Sequence, residues 1–317
     1  MDIIGVDFAA VNRVSRALKN KSSVLPRLNL YDERYYPPRD ADTERVVDYF
    51  IATVALDHRL SRPGKPYYAC LEDGCYKGSY LLYRLAMKKF AEDPEFFTPQ
   101  RLSRVSLDEV RLMLSSKTAL PPDMEVRAML LRDLGLKLVG LYNSSTLKLI
   151  ESSNNKVRGT LFEPGLVDNL RIFRAYEDPV EKKSMLLIKF LIERGLFNPI
   201  DGIDVAVDNH LSRIALRVGL VMVSGYLWDK IKRGEEVTYE EDLLLGMFAK
   251  RAYRYVAVKS GIPATTVDDF FWITARETCP REVQPLCDKC FFKGFCRARR
   301  NAAFMVSEHL YYNTWYY

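Results

Sequence analysis

The chain has 317 residues, of which 48% are hydrophobic and 28% charged, with a formal net charge of +6. That composition is ordinary for a soluble globular protein and leaves room for one large domain or two modest ones. No stretch approaches the roughly 20 apolar residues a membrane-spanning helix needs, and the N-terminus lacks the pattern of a secretory signal. A cytoplasmic protein with no membrane partner is expected.

Taken in chain order, the elements read as nearly all helix. Asp42–Leu60 carries Val46, Val47, Phe50, Ile51 and Val54 at helical spacing. Ser106 with Glu109, and Thr238 with Glu241, have the capping-box spacing ahead of long helical runs. Asp178-Pro179-Val180-Glu181 reads as a third start, with a capping Asp and Pro at the first helical position. The run that follows, Met185 to Ile192, is apolar nearly all round and belongs in a core. Asp208 is placed to cap a helix over Asn209–Val218 that stops at Gly219. Breaks fall at 35–39, Arg62–Pro66, 120–123, 198–202 and 260–263, where Pro and Gly gather. Strand alternation is absent apart from a short extended piece at Ile203–Val207. Cys70 and Cys75 flank a turn and are expected as free thiols. The aromatic tail from Tyr311 to Tyr317 is expected to pack on its own protein.

Chemistry concentrates near the C-terminal end. Cys279, Cys287, Cys290 and Cys296 lie within eighteen residues, spaced C-x7-C-x2-C-x5-C. Four thiolates suit either a tetrahedral zinc site or a cubane cluster. A structural zinc site commonly takes two ligands from each of two turns. Here there is one C-x-x-C with single cysteines on either side, which favours a cluster wrapped by a continuous loop. The segment is also basic: six cations (Arg281, Lys289, Lys293, Arg297, Arg299, Arg300) against Glu282 and Asp288 give 6 − 2 = +4. Such a local excess of positive charge is the footprint of polyanion binding.

The loop resembles the C-x6-C-x2-C-x5-C tail of endonuclease III and the adenine glycosylase of mismatch repair, with one more residue in the first gap. That resemblance implies a [4Fe–4S] cluster on all four cysteines, with zinc as the alternative. It further implies DNA-phosphate contacts from Arg281, Lys293, Arg297 and Arg299. The segment Val207-Asp208-Asn209-His210-Leu211-Ser212-Arg213 resembles the V-D-x-H-x-x-R stretch of the same glycosylase superfamily, which implies that Asp208 is catalytic. A fixed carboxylate suits that chemistry, because breaking a C1′–N bond builds positive charge on the sugar. It can also orient or deprotonate water. His210 is expected to pack or hydrogen-bond rather than to bind metal. Lys183 occupies the place of the family's lysine nucleophile, with Lys182 beside it and expected to contact substrate. Lys183 lies in a first helical turn, where a neighbouring cation and the helix dipole favour the neutral amine. The family's L-P-G-x-G hairpin is replaced here by Ala175-Tyr176-Glu177-Asp178-Pro179. Trp272 is expected to line a base pocket, since a flipped base stacks on aromatic faces.

A second similarity runs along roughly two hundred residues. Tyr76-Lys77-Gly78-Ser79, Phe173-Arg174-Ala175, the Lys182-Lys183 helix, Val207-Asp208, Leu216-Arg217-Val218-Gly219, Tyr239-Glu240-Glu241 and Asp268 through Trp272 follow the order of the queuosine salvage N-glycosidases. That family also implies a catalytic Asp208 but lacks the cysteine loop. The expected protein is all-α, with a two-lobed helix-hairpin-helix glycosylase fold. One lobe would be 42–198; the other would be 1–41 plus 199–317, carrying the loop 279–296. The expected activity is N-glycosidic cleavage of a damaged base in double-stranded DNA, with a possible lyase step through Lys183 and a nucleoid-associated location. A small nucleotide substrate and a non-catalytic nucleic-acid-binding module are the alternatives.

Overall fold

The computed structural model describes residues 3–62, 64–281 and 283–317. Pro63, in the expected break at Arg62–Pro66, and Glu282, counted in the charge of the cysteine segment, lie outside the described residues. The protein is mostly helical, as expected, and folds as two compact units. The first comprises Met1–Leu28 and Ile203–Thr314; the second comprises Asn29–Gly202 and Trp315–Tyr317. No described helix is long and apolar enough to cross a membrane.

In chain order the helices are α1 (Phe8–Lys19), α2 (Thr43–Leu56), α3 (Ser79–Glu92), α4 (Pro99–Leu102), α5 (Leu107–Leu114), α6 (Met124–Leu141) and α7 (Thr146–Glu151). They continue as α8 (Leu166–Leu170), α9 (Lys182–Glu193), α10 (Asn209–Val218), α11 (Gly225–Arg233), α12 (Tyr239–Ser260), α13 (Ala264–Ile273) and α14 (Arg297–Arg300). A π-helical turn, Thr274–Thr278, follows α13 directly. Four short strands make two antiparallel pairs that the sequence reading missed: β1 (Ile4–Val6) with β4 (Val221–Val223), and β2 (Tyr68–Leu71) with β3 (Gly74–Lys77). Strands of three or four residues are too short for alternation to register. The expected extended piece at Ile203–Val207 forms no ladder.

In the second unit α2 is the central element, with every residue from Val46 to Leu56 buried. It packs against α6 and α9, and Tyr49 and Phe50 join Tyr36, Tyr83, Phe90, Phe97 and Phe190 in a network of edge-on and tilted rings. Helix α6 crosses α4 closely enough that Gly135 is needed: a Cβ there would stand 2.2 Å from Ser103 N.

Helix α2 stops at Leu56, four residues before the expected end. Carbonyls at a helix C-terminus have no partner within the helix. Here cations take them. Lys183 Nζ donates to Ala55 O at 2.6 Å and Lys182 Nζ to Asp57 O at 2.7 Å. Arg127 donates to Leu56 O, to His58 O at 2.7 Å and to Arg59 O at 3.0 Å. Positive charge at this end also complements the helix dipole.

Helix α9 begins at Lys182, not at Asp178. Glu181 lies in the left-handed region at φ +66° and its carboxylate binds Arg171 at 2.6 Å, so a turn intervenes. Asp178 still serves the helix start, since its carboxylate accepts from Val180 N and Lys182 N, both at 2.8 Å. Both capping boxes form where the spacing placed them, Ser106 with Glu109 and Thr238 with Glu241. Cys70 and Cys75 are disulfide-bonded, correcting the expectation of free thiols. The β2–β3 register sets them directly opposite, Cα atoms 3.9 Å apart, which a turn reading of 71–74 does not show. In the tail, Trp315 Nε1 donates to Arg174 O at 2.9 Å, so this indole packs on its own chain.

In the first unit the 22-residue α12 is the spine. Helix α1 lies along it through Ala10, Val11, Val14 and Leu18, and Tyr253 on α12 donates its hydroxyl to Leu211 O of α10 at 2.7 Å. Buried carboxylates fasten the chain entering α10. Asp204 binds Arg254 at 2.6 Å, and Asp268 Oδ1 accepts from Ala206 N at 3.1 Å.

Asp48, wholly buried on α2, accepts from Thr146 Oγ1 at 2.8 Å and from Arg45 at 3.1 Å. Burial pushes its carboxyl up to about 7. The folded state then holds the proton more tightly than the unfolded chain, so this stabilisation is complete below about pH 4 and is lost as pH rises towards 7. The melting temperature of the wild type is expected to fall between pH 5 and pH 8 by several degrees more than that of Asp48→Asn. Parallel pH profiles by calorimetry would contradict this.

Candidate functional site

Helix α10 starts and stops where its sequence dictates. Asp208 caps it, with Oδ1 accepting from Leu211 N at 2.9 Å, and Gly219 ends it in the left-handed conformation at φ +92°. Capping and chemistry are compatible here. The cap fixes one carboxylate oxygen at a helix N-terminus, where the dipole favours the anion, and Asp208 is only half-buried.

Around that end of α10 stand His210, Trp272 and Arg276. The His210 and Trp272 rings meet edge to face at 6.4 Å, and the Arg276 guanidinium lies 4.5 Å over the indole. Arg213 Nη2 stands 3.1 Å from His210 Nδ1. A guanidinium can only donate, so Nδ1 is the acceptor and the neutral ring carries its proton on Nε2. His210 is thus a hydrogen-bonding residue.

The remaining donors of Arg213, and those of Arg217 one turn on, reach the cysteine segment. Arg213 donates to Ala275 O at 3.0 Å and to Cys279 O at 3.3 Å. Arg217 Nη1 reaches Cys279 Sγ at 3.0 Å and Pro280 O at 3.1 Å, and its Nε reaches Val306 O at 2.6 Å. Cys296 Sγ points back to Arg217 O at 3.4 Å. Glu308, 3% exposed, closes the arrangement by binding Arg213 at 2.8 Å and Arg281 at 2.7 Å. Burial raises the Glu308 carboxyl, but the two guanidiniums outweigh it and hold the group below the usual range. Glu308 carried no signal in the sequence; it lies ninety-five residues from Arg213. Arg213 stands in the V-D-x-H-x-x-R segment and Arg217 four residues on, but the sequence assigned neither a partner.

The four cysteines line one pocket, together with Arg217, Lys293, Ala298 and Arg299. Burial pushes the Cys290 thiol up to about 11 and raises Cys296 also, while the amides of Phe292, Ala298 and Arg299 face these sulfurs and favour the thiolate. No group of three or more His, Cys, Asp and Glu closes to single-ion distance among the described residues. An all-thiolate donor set with amide and guanidinium donors on the sulfurs suits a metal centre, a cluster or a zinc ion, held by the four cysteines. Phe292 anchors the loop by stacking on Phe271 at 5.3 Å.

The basic residues of the loop divide into two kinds. Arg281 is held by Glu308, and Arg297 lies 3.8 Å over the Phe304 ring and against Gly219. Both are spent largely within the fold. Lys289, Lys293, Arg299 and Arg300 are exposed, with Arg299 braced on Asp288 and Lys293 O at 2.8 Å each.

Lys182 and Lys183 belong to the second unit and are 5% and 0% exposed. They are not solvated surface lysines. Besides Ala55 O, Lys183 Nζ has His58 Nδ1 at 3.3 Å. Burial, then the charges of Lys182 and Arg127, push the Lys183 ammonium well below its ordinary range.

No protein-family model matches the sequence, and no curated protein matches it. Similar solved structures include two endonuclease III–DNA complexes. A trapped endonuclease III–DNA covalent intermediate (estranged-adenine complex) shares 13% identity over 93% of this chain and 95% of that chain, at a TM-score of 0.49. A non-covalent endonuclease III–DNA complex shares 12% identity over the same proportions, at a TM-score of 0.47. Functional assignment rests on the chain's own residues.

Removing Glu308 would leave Arg213 without its buried anion. Glu308→Ala is expected to cost about 3–5 kcal/mol, measured by chemical denaturation at pH 7. A loss under 1 kcal/mol would show that the Arg213–Glu308 pair does not hold the loop to α10.

Proposed function

We propose that this protein is an N-glycosylase acting on a modified base in DNA, with Asp208 as its catalytic carboxylate. The observation that carries this reading is the construction of α10. One ten-residue helix holds Asp208 at its N-cap and, through Arg213 and Arg217, the cysteine loop along its length. Carboxylate and loop are thereby parts of one rigid piece rather than two separate motifs.

In the proposed reaction the C1′–N bond breaks with its electron pair going to the departing base, and positive charge develops on the sugar. The Asp208 carboxylate stabilises that charge and orients the water that attacks C1′, taking its proton. Trp272, backed by Arg276, offers an aromatic face for the extruded base. Cys279, Cys287, Cys290 and Cys296 would hold a [4Fe–4S] cluster, whose contribution is to cross-link the loop. Lys289, Lys293, Arg299 and Arg300 on its exposed side would meet phosphates, which favours a polynucleotide over a free nucleotide. Lys183, whose ammonium is pushed well below its ordinary range, is the residue proposed for a lyase step.

Single-turnover base release from lesion-bearing duplexes, with queuosine 5′-phosphate in parallel, tests the assignment. Asp208→Asn is expected to slow release from DNA by about 100- to 1,000-fold while still folding, since Asn also caps helices. Release from the nucleotide alone would move the protein to salvage chemistry. Duplex affinity should fall steeply with salt, and Lys293→Ala and Arg299→Ala should each reduce the log–log slope by about 0.9. An unchanged slope in both variants would remove the loop from the DNA contact.

A further inference from the structure

We propose that the solvent face of the β2–β3 hairpin is a nucleic-acid contact, with Tyr68 as a stacking surface for one unpaired base and Lys77 as the cation for its phosphate. The proposal rests on the reading of this protein as one that acts on DNA, and adds a binding surface to the second unit.

Alternation along the two strands sorts their side chains. Ala69 and Tyr76 stand opposite one another and are 1% and 6% exposed, whereas Tyr68, Cys70, Cys75 and Lys77 are exposed. The register sets Tyr68 against Lys77 and Cys70 against Cys75, so ring, ammonium and disulfide share one surface. Tyr68 is 45% exposed, and its hydroxyl lies 3.1 Å from Cys70 Sγ. A disulfide sulfur has no proton to give, so the hydroxyl donates and the ring is tied to the hairpin at its tip.

The hairpin is itself fastened. The Cys70–Cys75 bond fixes its register, Tyr76 packs edge to face on Tyr35 at 6.0 Å, and Arg84 of α3 binds Asp73 in the turn at 2.7 Å. A two-stranded hairpin alone is marginal in water; these ties hold this one in place. An aromatic ring that is already ordered loses little freedom when a planar partner stacks on it. It also suits any base, since every base has a π-face. Lys77 lies directly across the ladder from the ring, as a nucleotide carries its phosphate beside its base, and exposed Lys65 comes three residues before Tyr68. The acids of the hairpin, Glu72 and Asp73, are in the turn at its far end, and Asp73 is bound to Arg84. Charge at the Tyr68–Lys77 end therefore favours a polyanion.

Fluorescence anisotropy of a short labelled single-stranded oligonucleotide, with a duplex of the same sequence in parallel, tests this in the full-length protein. Tyr68→Ala is expected to weaken single-strand binding about tenfold, while Tyr68→Phe, which keeps the ring, stays within about threefold of wild type. The duplex, whose bases are already stacked on one another, should lose less than about threefold in Tyr68→Ala. Lys77→Ala should lower the single-strand salt slope by about 0.7. Wild-type affinity in Tyr68→Ala, an equal loss in Tyr68→Phe, or an equal loss on duplex would each overturn the stacking role; an unchanged slope in Lys77→Ala would overturn the phosphate contact. Base release from a lesion duplex, measured alongside, separates this proposal from the activity on which it rests. Release by the wild type with no effect of Tyr68→Ala on binding would strike the hairpin contact alone. Neither release nor nucleic-acid binding by the wild type would strike both.

Discussion

Two arginines on one helix of the first unit, Arg213 and Arg217, donate to the backbone and sulfur of a loop more than sixty residues further along the chain. A guanidinium has five donors in a fixed fork and no acceptor, so each arginine can bind several carbonyls at once without adding a group that itself needs satisfying. The cysteine segment depends on this. Phe291 and Phe292 pack on Phe270 and Phe271 in the middle of the loop, while the arginines fasten its start at Cys279 and Pro280. The buried carboxylate of Glu308 supplies the charge that makes so enclosed an Arg213 tolerable.

The second unit solves a related problem with opposite bookkeeping of charge. Three cations converge on the carbonyl end of α2, and their partners are mainly backbone dipoles rather than carboxylates. Dipoles compensate an ammonium less fully than an anion does. The result is an ammonium at Lys183 pushed well below its ordinary range. A close-packed wall of aromatic rings around Tyr49, Phe50 and Phe190 keeps α2 in place beneath them.

Some of this was legible in one dimension because the causes are local. Capping at Ser106, Thr238 and Asp208 depends on a side chain reaching three residues along the chain, and the spacing alone states it. The αL end at Gly219 and the apolar face of α2 are of the same kind. The grouping of four cysteines is also a property of spacing. The all-α class follows from these repeated local signals.

What tertiary structure decided concerns charge and partners. A basic segment looks uniform in sequence, yet Arg281 pairs with buried Glu308 and Arg297 lies over the Phe304 ring, while Lys293 and Arg299 are exposed. The burial of Lys182 and Lys183 has no signal in the sequence; it comes from the end of α2, to whose carbonyls they donate. Cys70 and Cys75 become a disulfide only when strand register sets them opposite. In each case the sequence determined which groups were present and their local conformation, while desolvation and long-range partners, which no spacing encodes, determined their state.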